Sequence, residues 1–248
     1  MGDGMGKFLI QTVNGQIRHD FCFGALEALE YQNWYRPNSH EYALQDTIPK
    51  EGYGDYIPIG SIQFVQEFLS VYHGRSDLRP IGIPPMLQDN RFVKRELHVL
   101  PSGTDLRPYF RGTSLFVKTL SRLKGFTGVI TENELPSVPQ DEDLLVSECV
   151  DIDSEWRAFV FRGTLVGLRN YLGDFTLFPD VPFIRSCIGA YKDAPPAYTL
   201  DVGINADRGT FVIEVHNFYS CGLYGFSDYR ILPQMFAASF KHLVQHGY

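Results

Sequence analysis

Two carboxylates in the last third of the chain sit where spacing alone suggests a chemistry. Tyr198, Leu200, Val202 and Ile204 alternate with Thr199, Asp201 and Gly203, and further on Phe211, Ile213 and Val215 alternate with Thr210, Val212, Glu214 and His216. Period-two alternation in both arms predicts a hairpin with one buried apolar face. A turn over residues 206–209 then sets Asp201 opposite Glu214 and Thr199 opposite His216. Side chains so paired stand about 5 Å apart, and like charges at that distance repel. A divalent cation with oxygen ligands between them relieves the repulsion, magnesium carrying phosphates being the commonest version. The other reading is a solvated outer face on which both acids are harmless.

The elements that must position this hairpin divide into three stretches. Residues 1–112 read as an α/β lobe, with a strand at 8–13, a helix at 25–34, and a helix after Gly60 for which Ser61 is the N-cap and Ile62, Val65, Phe68 and Leu69 the apolar stripe. Pro84-Pro85 and the polar residues after them read as surface loops. Residues 113–150 and 151–248 carry short apolar strands at 115–118, 128–130, 144–150, 156–161 and 164–168. Arg162-Gly163 forms a two-residue turn between the last two. A helix near residues 232–246, with Pro233 in its first turn, closes the pattern.

Bulk composition narrows the function classes. The 248 residues are 44% apolar and 21% charged, an ordinary globular mixture. No apolar run approaches the roughly 20 residues that span a bilayer, and residues 1–7 lack the apolar core of a signal peptide, so a cytoplasmic address and no membrane partner are expected. A net charge of −7 with scattered basic residues argues against a nucleic-acid partner but not against a nucleotide. The four cysteines, Cys22, Cys149, Cys187 and Cys221, form no CxxC pair and read as reduced core thiols.

Taken in order, Phe116-Val117-Lys118, Glu148, Glu155, Arg157, Asp201 and Glu214 resemble the motif series of the ATP-grasp superfamily over residues 113–226. The strand around Glu155, Arg157, Phe159 and Val160, followed by Asp201, Gly209, Glu214, Gly222, Leu223 and Gly225, is similar to the ribosomal-protein glutamate ligases. The series also resembles an ATP-grasp clade of phage and bacterial genomes in which lysine replaces an arginine. The fold implied is α+β: an N-terminal α/β lobe followed by two α+β subdomains gripping ATP.

The resemblance implies a role for each residue. Lys118 reaches the α- and β-phosphates, and Lys124 belongs to a glycine-containing loop that closes over them. Glu148 accepts from the adenine amino group, while the backbone of Cys149 and Val150 pairs the ring edge and Glu155 holds the ribose hydroxyls. Arg157 and Arg169 neutralise an acyl-phosphate transition state. Asp201 and Glu214 hold the metal, Mg2+ with Mn2+ as the alternative. His216 stands where the family has asparagine, so either Asn217 supplies that ligand or His216 touches phosphate or substrate. Thr199 stands where many relatives carry arginine. The implied reaction joins a carboxylate, such as a peptide or protein terminus, to an amine through an acyl phosphate made from ATP. An ATP-grasp phosphotransferase and an ATP-binding pseudoenzyme or regulatory module are the rival readings.

Overall fold

The computed structural model describes residues 6–75, 78–112, 114–121 and 125–246. The first lobe holds β1 (Gly6–Gln11), α1 (Asp20–Tyr35), β2 (His40–Gln45), β3 (Ile57–Ile59) and α2 (Ile62–His73). Its parallel sheet runs β2-β1-β3. In β1, Phe8, Leu9 and Ile10 are all buried, as suits a middle strand covered on both faces. Helix α2 starts where expected: the Phe64 amide donates to the Ser61 hydroxyl at 3.2 Å, and Gly74 ends the helix in the left-handed region at φ 64°.

After α3 (Asn90–Val93), the second sheet comprises β4 (Leu97–Leu100), β5 (Leu115–Thr119), β6 (Thr127–Ile130) and β7 (Leu144–Glu148), in the order β4-β7-β5-β6. Because β4 pairs with β7, from Leu97 opposite Ser147 to Leu100 opposite Leu144, this sheet reaches back across residue 112, where the sequence pattern placed a boundary.

The third sheet is built from β8 (Ser154–Phe161), β9 (Thr164–Gly173), β10 (Ala197–Asn205) and β11 (Gly209–Asn217), ordered β11-β10-β8-β9, with α4 (Val181–Ala190) between β9 and β10. The β8–β9 turn is the expected one, Arg162 and Gly163 both having positive φ (49° and 72°). Helix α5 (Leu232–His246) leaves the third sheet. Its Met235 and Phe236 join the core of α1 and β1, and Phe240 and Leu243 join that of α2. The helix at the end of residues 151–248 therefore completes the N-terminal lobe, because its apolar stripe finds its cover there.

The β10–β11 hairpin has the predicted register, Asp201 opposite Glu214 and Thr199 opposite His216, but a bulge interrupts it after Asp201, and Val202 pairs with Val212. The extra residue flips the alternation of the second arm. Val212 and Val215 share the core under the sheet with Leu200 and Val202, whereas Phe211 and Ile213, expected beside Val215, face the cleft. Gly203, across from Phe211, leaves room for the ring, since a Cβ there would come within 2.7 Å of it.

Candidate active site

The second and third sheets face each other across a cavity of about 330 Å³, in the usual range for a small-molecule site. One end is apolar, walled by Phe116, Leu145, Val150, Ile152, Phe211 and Ile213; at the other stand Lys118 and Glu214. Phe116 and Lys118 alternate with the buried Leu115 and Val117, so the pleat of β5 delivers a ring and an ammonium to the same face.

The carboxylate pair is held by cations of the chain itself. Arg157, on β8 directly across from Asp201, grips it bidentately, Nε to Oδ1 at 2.8 Å and Nη2 to Oδ2 at 2.7 Å, with both side chains buried. Burial alone would raise the Asp201 carboxyl, but Arg157 and then His216 outweigh it and hold it below the usual range. Lys118 donates to Glu214 Oε2. His216 Nε2 lies between the acids, 3.3 Å from Asp201 Oδ2 and 3.1 Å from Glu214 Oε1. Burial opposes a charge on the imidazole, yet the two carboxylates raise it to about 9; against the same burial penalty, His216 and Lys118 hold Glu214 at about 2. Without another cation, His216 is thus an imidazolium bridging two carboxylates.

The donor set fits a divalent cation. Ligand atoms of Asp201, Glu214 and His216 lie within 4.8 Å of one another. Asn217 is not among them: its side-chain amide donates to the Arg79 carbonyl at 3.3 Å. Of the two ways to fill the family's asparagine position, the strand therefore offers His216.

Other expected residues are placed less uniformly. Cys149, Val150 and Glu155 line the cavity, and the Tyr171 hydroxyl donates to Glu155 Oε2 at 2.6 Å. Glu148 also lines it, but its carboxylate is engaged by Arg208 from the β10–β11 turn, Nη2 to Oε1 at 2.6 Å. That partner holds Glu148 below the usual range, so adenine would meet a carboxylate already bonded. Arg169 faces Arg157 across β8 and β9, yet it donates to the carbonyls of Gly225 and Leu168. It lines a second, more open cavity of about 490 Å³ with Tyr31, Phe226, Tyr229 and Arg230. Lys124 lies outside the described residues.

Sequence reasoning missed Arg95, which sits in what read as a surface loop. Its guanidinium enters the cavity wall, donating to Ser147 Oγ at 3.0 Å and to the Val93 and Val212 carbonyls at 3.1 and 2.7 Å. Burial, then Arg208, lower it to about 10, so it stays charged at neutral pH. Nothing in its neighbours' spacing marks it. The loop after β11 is better marked by its glycines: the Leu223 amide donates to Asp20 Oδ2 at 2.7 Å, and the Gly222 carbonyl accepts from Arg157 Nη1 at 3.1 Å. Tyr224 stacks on Tyr171, and both rings lie against the Arg157 guanidinium.

Residues 92–233, more than half of the chain, match the family described as ATP-grasp domain, R-to-K clade family 2. The chain belongs to the ATP-grasp family. Solved structures of that fold align over nearly its whole length. A RimK domain ATP-grasp protein from Sphaerobacter thermophilus superposes with a TM-score of 0.57 at 14% identity, over 95% of this chain and 99% of that one. The D-alanine–D-alanine ligase of Bacillus anthracis, solved with ATP, gives 0.56 at 14% identity over 99% and 100%. The N5-carboxyaminoimidazole synthetase of Staphylococcus aureus, solved with ADP, gives 0.55 at 10% identity over 90% and 72%. At such identities the likeness is one of fold, and the mixed α+β architecture of this ATP-grasp protein agrees with it. Among curated proteins no sequence matches significantly. No helix among the described residues is long and apolar enough to cross a membrane.

Proposed function

We propose that this ATP-grasp protein binds ATP with a divalent cation between its second and third sheets and joins a carboxylate to an amine through an acyl phosphate. The observation that carries the reading is the polarity of the cleft. Its apolar end, bounded by Cys149 and Val150, suits a purine, and its other end gathers Lys118, Glu214, Asp201 and His216, as a triphosphate and its counter-ion require. The order of parts agrees with what the printed names of the structural relatives say of those proteins, ligases and synthetases, one of them solved with ATP.

The chain's own residues divide the work. Lys118, released from Glu214 when an ion takes its place, is free to turn to phosphate oxygens. Lys118 and Arg157 already balance the two carboxylates, so a bare dication gains little and is expected to enter with the nucleotide. When bound, that cation neutralises phosphate oxygens as the γ-phosphoryl group passes to the substrate carboxylate. Arg157, locked on Asp201 and capped by Tyr171 and Tyr224, orients the carboxylate rather than reaching a substrate itself. Arg169 is the guanidinium bound only through backbone carbonyls, and its open cavity is where the acyl substrate would lie. A peptide or protein terminus is the substrate class that the sequence resemblance favours. The address we propose is cytoplasmic and the ion that the resemblance implies is magnesium.

Calorimetric titration of ATP, with and without magnesium, into wild type and Glu214→Ala tests the site; metal-dependent binding lost in the variant is expected. ADP release that needs both a carboxylate and an amine tests the reaction. Because Glu148 and Asp201 are both engaged by arginines, an ATP-binding regulatory module is the second reading, and nucleotide binding without ADP release for any carboxylate would favour it.

A further inference from the structure

The position between the carboxylates has a feature that an oxygen-only magnesium site lacks. Its third donor is an imidazole nitrogen, His216 Nε2, already within 3.3 Å of Asp201 Oδ2 and 3.1 Å of Glu214 Oε1. Magnesium takes oxygen ligands in near-ideal octahedra and sheds water reluctantly, whereas divalent ions further along the first transition row accept imidazole readily. The second observation is independent. Thr199, directly across from His216 and two residues before Asp201 on the same face of β10, is fully buried, and its Oγ1 has no hydrogen-bond partner among the described residues. An orphaned buried hydroxyl costs about 1–3 kcal/mol. Water carried on an ion held by its neighbours would satisfy it. Lys118 and Arg157 cancel the carboxylate charge, which leaves donor identity to decide which ion is preferred.

We propose that Asp201, Glu214 and His216 form a mixed oxygen–nitrogen site selective for a divalent transition-metal ion, manganese foremost, with His216 a direct ligand and Thr199 holding a water of that ion. Two carboxylates and phosphate oxygens keep the ion hard, and the single imidazole moves the preference from magnesium to manganese. On binding, Nε2 releases its proton to solvent and the lone pair turns to the ion. The place of the ion rests on the ligase reading; its identity does not.

The test is electron paramagnetic resonance of the full chain loaded with MnCl2, alone and with the non-hydrolysable analogue AMP-PNP, for wild type, His216→Asn and Thr199→Val. Bound Mn2+ in wild type is expected to show 14N coupling from a directly bonded imidazole, absent in His216→Asn. Magnesium should displace Mn2+ from His216→Asn at a concentration about tenfold lower than from wild type, and Thr199→Val should weaken Mn2+ binding about tenfold while melting as wild type does. Bound Mn2+ without nitrogen coupling in wild type, unchanged magnesium competition in His216→Asn, or no Mn2+ binding in either condition overturns the proposal. Nucleotide binding without nitrogen coupling would sink it and leave the ligase reading standing. Nitrogen coupling with MnCl2 alone, where no nucleotide binds, would do the reverse.

Discussion

Removing Asp201 separates the architecture of this site from its chemistry. In Asp201→Val the Arg157 guanidinium remains buried, 6% exposed, with one carbonyl and two tyrosine faces for company. Stripping one partner from such a pair costs about 3–5 kcal/mol. For a chain this size, that lowers the melting temperature by about 10 °C. Arg157→Met should cost a similar amount, because Asp201 then keeps only His216 and the Gly222 carbonyl loses a donor. The double variant leaves neither charge stranded, and an apolar pair of similar volume is tolerated where an ion pair stood. It should therefore melt above either single variant, with a coupling of about 3 kcal/mol in a double-mutant cycle. Urea unfolding without nucleotide reads the stability, and ATP calorimetry on the same samples should show no recovery of binding in the double variant. Additive losses would show that the 2.7 Å contact carries no coupling energy, and restored nucleotide binding would show that Asp201 has no part in the site.

Four further outcomes are expected. Burial pushes the thiols of Cys22, Cys187 and Cys221 up to about 12, so at pH 8 a thiol reagent should label Cys149 alone, and ATP should protect it; labelling unaffected by saturating ATP would refute its place in the adenine wall. Arg208→Ala breaks a half-exposed ion pair and should cost under about 1 kcal/mol in a urea melt; because it frees Glu148, a weaker rather than tighter ATP complex would show that the pair serves the base pocket. Gly203→Ala drives a methyl to within 2.7 Å of Phe211 and should raise the ATP dissociation constant along with a loss of about 1–3 kcal/mol in stability, read by calorimetry and melting. Gly167→Ala brings a methyl to 2.5 Å from Phe226, which stacks on Phe159, and should destabilise by a similar amount; a neutral result would mean that the ring is free to move.

What the sequence revealed and what it concealed follow from the range of the forces involved. The β10–β11 register was legible because two strands joined by a short turn have their pairing fixed by alternation, and Asp201 fell opposite Glu214 as counted. The bulge was not legible: Val212, Ile213 and Glu214 read as plain alternation, and only packing against the core under the sheet decides which of two valid phases each part of the strand adopts. Arg157 announced itself by type and position, but its partner did not, since a cross-strand neighbour on β8 requires knowing that β8 and β10 are adjacent. Arg95 and Arg208 lie in segments without periodicity, and it is their reach to carbonyls and to Glu148 that gives them a place. The docking of α5 on the N-terminal lobe was hidden for the same reason: an apolar stripe states that a helix is covered, not by what.

The attachment of the second sheet also limits how it can move. Its strands enter from α3 through residues 94–96 and leave for β8 through residues 149–153. The two crossings run side by side: the Glu148 amide donates to the Glu96 carbonyl at 3.0 Å, and Arg95 clasps Ser147 on one crossing and the Val212 carbonyl of the third sheet beyond it. A leaf hung on two adjacent pivots cannot swivel freely as one on a single thread can; it swings about the line through them. The seam along that line is the stretch of Glu148, Cys149 and Val150 against which the adenine would rest, so whatever occupies the base pocket sits at the axle, where displacement is smallest, while Lys118, farther along the leaf, sweeps the longer arc. A nucleotide base could then stay seated through every opening while phosphates and products come and go at the outer edge.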